Sequence, residues 1–124
     1  MLKEHEAVAT IAVKDPGAAR KFYEGKLGLK PEDTRDDEVV TYGSGKSRLF
    51  VYKSDYAGTN KATSATWTVD DVDGLAQDLK AKGVQFERYD MPGMKHEGDV
   101  HVAGNMRAAW FKDPDGNILS IVSG

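Results

Sequence analysis

Apolar residues fall in strand-length runs from Ala7 to Val13, Val39 to Tyr42 and Arg48 to Lys53. Between the first two runs lies DPGAARKFYEGKLG, where Ala19, Phe22, Tyr23 and Leu27 share one face at helical spacing. Asp15 is placed to cap that helix, Pro16 suits its first turn, and Gly28 supplies the stop. The first half is read as βαβββ, with two of the three strands after the helix marked by these runs. The pattern then begins again. ATWTVDDVDGLAQDLKAKGVQFERY gives a strand, a helix start at Asp70-Asp71, apolar Val72, Leu75 and Leu79, and a stop at Gly83. Val13 and Asp15 match Val69 and Asp71 at one constant offset, and strands near Arg107 to Lys112 and Ile118 to Val122 complete a second unit. Two such units in tandem imply an internal duplication.

These elements predict an α+β chain with a single domain over residues 1–124, made of one βαβββ module at 1–55 and another at 64–124. The connector 56–63 lies in SDYAGTNKATS, a polar stretch that suits a hinge better than a piece of core. The segment MPGMKHEGDVHVAGN, residues 91–105, reads as a long irregular loop of the kind that closes over a site.

Composition narrows the function. A net charge of -3 argues against a nucleic-acid partner, and the absence of cysteine removes disulfides, thiolate ligands and thiol nucleophiles. MLKEHEAVATIAV is too short and too alternating for a signal peptide, and no run is long enough for a membrane span. A cytoplasmic location is the expectation.

The stretches IAVKDPGAARKFYEGKLGL, TVDDVDGLAQDLKAKGV and WFKDPDGNILSI, in that order and spacing, resemble the vicinal oxygen chelate superfamily. That group holds glyoxalase I, extradiol dioxygenases, fosfomycin-resistance enzymes and bleomycin-resistance proteins. The resemblance covers nearly the whole chain. It implies curled mixed sheets that form a shared cleft, a homodimer, and in metal-dependent members one divalent ion held from the first and fourth strands of each unit. Counted from the matched motifs, those ligand positions fall on Val8, Phe50, Ser64 and Ser120. None offers an imidazole or carboxylate, so no metal and no cofactor is expected. Ser120 then stands where a ligand has been lost, and it has no evident base to make it a nucleophile.

Strand parity groups Val8 with Thr10, Arg48 with Phe50 and Tyr52, and Ser64 with Thr66, while Ile11, Val13, Leu49, Val51, Trp67, Val69, Leu119 and Ile121 face the helices. With Trp110, Ser120 and Met94 from the long loop, the first set makes a candidate ligand-binding surface of hydroxyls, aromatics and one arginine. Such a wall suits a flat, partly apolar small molecule. The bland alternative is that Phe50, Tyr52 and Trp110 fill a core or a dimer interface. HEGDVH is expected to be a solvated loop, and Glu6 with His96 or His101 is the one alternative set for a metal site. The expected function is metal-independent binding of a small molecule, such as an aromatic natural product or antibiotic. A lyase or isomerase using Tyr52, Glu6 or a loop histidine is the first alternative, with a metal-dependent glyoxalase or dioxygenase behind it.

Overall fold

The computed structural model describes residues 1–36 and 39–124. Strand β1 (Ala9–Val13) leads into helix α1 (Pro16–Arg20), and β2 (Lys30–Asp36), β3 (Val39–Ser44) and β4 (Ser47–Lys53) follow. The second unit comprises β5 (Thr63–Val69), α2 (Val72–Ala81), β6 (Phe86–Glu87), β7 (Lys95–Glu97), β8 (Val100–Ala103), β9 (Met106–Lys112) and β10 (Ile118–Ser123). Each unit builds one mixed sheet, ordered β1-β4-β3-β2 and β5-β10-β9-β8-β7, with β6 also paired to β9. In both, the first strand runs parallel to the last, β1 on β4 and β5 on β10. This is the tandem α+β architecture that the hydrophobic pattern predicts.

Both helices start where a carboxylate can satisfy free backbone donors. Asp15 accepts from the N–H groups of Gly17 and Ala18, and Asp71 accepts from Gly74. After Arg20 the first helix continues in π-helical form over Lys21–Lys26, where the adjacent residues Phe22 and Tyr23 are both buried. Gly28 and Gly83 leave their helices at φ 75° and 92°, in the left-handed region that favours glycine.

One core serves both units. Ile11, Val13, Leu49 and Val51 from the first sheet join Ala109, Phe111, Leu119 and Ile121 from the second beneath the two helices. Phe22 of the first helical segment packs against Phe111 at 6.4 Å. Polar contacts reinforce this seam: Tyr23 Oη donates to Asp113 Oδ2 at 2.7 Å, Asn117 Nδ2 donates to the Ala12 carbonyl at 2.7 Å, and Trp67 Nε1 donates to Ser44 Oγ at 2.8 Å. In the connector, Ala57 is buried and Gly58 backs onto the Asp115 carbonyl.

The segment 91–105 departs from its sequence reading. It contains β7 and β8, a hairpin with Lys95 opposite Val102, His96 opposite His101 and Glu97 opposite Val100. Gly98 opens the two-residue turn at φ 64°, as a type II′ hairpin requires. HEGDVH is therefore sheet, not a solvated loop, and His101 is completely buried. Two ion pairs pin the hairpin: Lys80 Nζ to Asp99 Oδ2 at 3.1 Å, and Arg107 to Glu97 at 3.0 Å. The same Arg107 forks onto Asp73 of α2 through Nε and Nη2 at 2.7 and 2.8 Å.

Candidate functional site

The side chains that alternate with the core positions define a helix-free face on each sheet. Strand register sets Thr10, Phe50 and Thr41 side by side in the first sheet. In the second it sets Thr66, Ser120 and Trp110 side by side, with Thr68, Val122, Ala108 and His101 forming the next row. The sequence-chosen residues thus fall into two groups, and β1 and β5 approach one another between them.

The members differ in how open they are. Thr10, Tyr52 and Thr66 are exposed, whereas Val8, Phe50, Ser64 and Trp110 are half-buried. Ser120 is only 2% exposed. Its hydroxyl lies 2.7 Å from that of Thr66, so the two hydroxyls satisfy each other across the parallel strands. The Trp110 indole N–H donates to Thr63 Oγ1 at 3.2 Å. Arg48 stands at the edge, where its Nε meets Glu32 Oε1 at 3.3 Å, which leaves it partly neutralised. Met94 is half-buried in the turn before β7, its N–H bonded to the Met91 carbonyl at 3.1 Å.

The four positions at which a family metal would be held do not fit one. Val8 and Phe50 have no donor atoms, Ser64 lies where the pairing of β5 with β10 shifts register, and the Ser120 hydroxyl is engaged with Thr66. Neutral hydroxyls are poor substitutes for imidazole and carboxylate ligands. Glu6 is exposed, and among the described residues no group of three or more His, Asp or Glu could hold an ion.

A second cluster escaped the sequence reading. Trp110 meets His101 edge to face at 4.8 Å between ring centres and Tyr89 at 5.7 Å, while His96 meets His101 at 4.5 Å. Ala108, directly opposite His101 across the ladder, is small enough to let these rings close over it. His101 Nε2 accepts the Tyr89 backbone N–H at 2.9 Å. The proton of the neutral imidazole therefore resides on Nδ1. Burial, with His96 alongside, holds the His101 pKa below its ordinary value. His96 Nε2 lies 3.0 Å from the Tyr89 carbonyl and can only be the donor there. The local signal in the sequence was the alternation Val100, His101, Val102 just after the Gly98 turn.

On the helix side, an open apolar groove of about 210 Å³ runs between Leu27, Trp67, Leu75 and Phe111. Among the described residues no helix is long and apolar enough to cross a membrane.

Known proteins agree with this architecture. The family described as the Glyoxalase/Bleomycin resistance protein/Dioxygenase superfamily matches residues 6–121. No curated protein matches the chain in sequence. Among solved structures, lactoylglutathione lyase from Agrobacterium tumefaciens superposes with a TM-score of 0.74 at 17% identity, covering 97% of this chain and 93% of that one. The bleomycin resistance determinant encoded on transposon Tn5 gives 0.73 at 20% identity, covering 97% and 98%. The bleomycin-binding protein from Streptomyces verticillus, complexed with copper(II)-bleomycin, gives 0.71 at 24% identity, covering 100% and 99%. Identities this low show the fold alone, but the family match spans nearly the whole sequence. By that match, the chain belongs to the Glyoxalase/Bleomycin resistance protein/Dioxygenase superfamily.

Proposed function

We propose that this chain is a metal-independent small-molecule binding protein whose ligand sits on the helix-free faces of the two sheets. The observation that carries the reading is the chemistry of the four ligand positions, Val8, Phe50, Ser64 and Ser120, beside the aromatic wall of Trp110. A surface that mixes flat rings with orienting hydroxyls suits a planar, partly apolar ligand such as an aromatic natural product or antibiotic. Two structural relatives whose descriptions concern bleomycin support this class of ligand without naming it for this chain. A cytoplasmic homodimer, with each cleft completed either within one chain or by modules of two, belongs to the same proposal.

The test is calorimetric titration with planar aromatic compounds, copper(II)-bleomycin among them, followed by recovery of the ligand. The ligand should return unchanged. Trp110→Ala and Tyr52→Ala should each weaken binding at least tenfold while changing fold stability much less. Equal losses in binding and stability would make these rings packing residues. Binding that survives both substitutions but is lost on Leu75→Trp would move the site to the helix-side groove.

The buried neutral imidazole of His101 supports a second reading, a lyase or isomerase working by acid-base catalysis. Steady turnover of the recovered ligand, with a pH profile changed by His101→Gln, would favour it over sequestration.

A further inference from the structure

His101 is completely buried, yet its Nδ1 makes no hydrogen bond of good geometry among the described residues, although the backbones of Asp99 and Ala108 lie beside the ring, and the hydroxyl of Tyr89 is likewise unpaired. A buried donor without an acceptor is costly, and native proteins keep few of them. Phenylalanine at position 89 would pack the same ring without that cost, whereas at 101 it would strand the Tyr89 N–H. The bonding on the other side of each group fixes what remains on offer. Nε2 of His101 is committed to the Tyr89 N–H, so Nδ1 presents a proton. The Tyr89 hydroxyl is raised in pKa, first by burial and then by Glu87, and so presents a proton as well. Nearby charge is already compensated, because Lys112 Nζ meets Glu87 Oε1 at 3.3 Å.

We propose that Tyr89, His96, His101 and Trp110 form a recognition subsite for a flat, uncharged ring system bearing carbonyl or ether oxygens. Trp110 supplies a ring face or edge, and the His101 Nδ1–H and the Tyr89 hydroxyl donate to the ligand's oxygens. His96 is a positioning residue, held by its bond to the Tyr89 carbonyl and packed edge to face on His101. The subsite rests on the ligand-binding reading above and gives it a donor pattern: two donors, no compensating charge. Both donor atoms are shielded from solvent, so a ligand reaches them only by displacing the side chains that close this end.

Coumarin and its hydrocarbon relative 1,2-dihydronaphthalene are a matched pair of probes, similar in shape and different in acceptor oxygens. Each would be titrated into isotope-labelled full-length protein to millimolar concentration, with the His101 and Trp110 side-chain resonances followed by NMR. The expected result is that coumarin shifts both resonances and binds at least fivefold more tightly than the hydrocarbon. Tyr89→Phe should erase most of that preference while its melting temperature stays the same or rises, since the lost hydroxyl had no partner. His101→Met, which removes the Nδ1 donor and leaves only a weak sulfur acceptor near the Tyr89 N–H, should also reduce the preference. A fall of several degrees in the melting temperature of Tyr89→Phe would show that its hydroxyl is already satisfied, and would overturn the proposal. So would equal binding of the two probes, silence from both, or a preference unchanged in both variants. If ligands are still lost in Trp110→Ala under those outcomes, the broader binding surface stands without this subsite.

Discussion

Asp113→Ala is expected to lower the free energy of unfolding by about 3–5 kcal/mol, read as a large drop in the urea midpoint. The carboxylate is 5% exposed and accepts from Tyr23 Oη at 2.7 Å, from the Asn117 backbone and side-chain N–H groups at 2.8 Å each, and from the Asp115 N–H at 3.0 Å. Its removal strands a buried phenol and loosens an amide whose other bond reaches the Ala12 carbonyl of β1. Burial, and then the charge of Asp113, hold the Tyr23 pKa far above its ordinary value, so the phenol is a donor at every working pH. Tyr23→Phe should cost about 1–2 kcal/mol, because Asp113 keeps its other donors. A double-mutant cycle between the two should return a coupling of at least about 1 kcal/mol. A loss below about 1 kcal/mol for Asp113→Ala would mean that this seam does not hold the units together. The consequence reaches the site, since Asn117 immediately precedes β10 and so helps to set where Ser120 meets Thr66.

The second large effect belongs to Gly58. It sits at φ 73°, and a Cβ built there would collide with the carbonyl of Asp115. Gly58→Ala combines the cost of a left-handed conformation with a backbone clash, and should destabilise by about 3 kcal/mol. Gly45 separates the two contributions. It has φ 57° but nothing within 4 Å of the same atom, so Gly45→Ala should cost about 1 kcal/mol. Thermal unfolding of both variants checks this. Equal losses would show that the connector does not press on the Asp113 turn.

The parts of the fold most legible in the sequence were those with local causes. Asp15, Asp71, Gly28 and Gly83 announce helix ends through their own chemistry, and alternation along β1 and β4 separates core from open face without tertiary knowledge. Strand β2 was not locatable in this way. KPEDTRD has no apolar alternation, and Pro31 signals a break, although it is tolerated in an edge strand that among the described residues pairs with β3 alone. The β7–β8 hairpin was hidden because its strands are short and because histidine is usually solvated. Its burial depends on Tyr89, Ala108 and Trp110, which only the sheet brings to it. Of the candidate site, the choice of Thr66, Ser120 and Trp110 as individual residues followed from parity and motif spacing. The mutual hydroxyl pair and the Tyr89 cluster did not, since both depend on register between strands.

The central claim is that this member of the superfamily binds its ligand without the metal. Calorimetric titration of chelator-treated protein with zinc, nickel, manganese and ferrous iron tests it most directly, with circular dichroism showing that the chain stays folded. No stoichiometric binding of any of the four is expected. Tight one-to-one binding would contradict it and would place an ion among residues other than Val8, Phe50, Ser64 and Ser120.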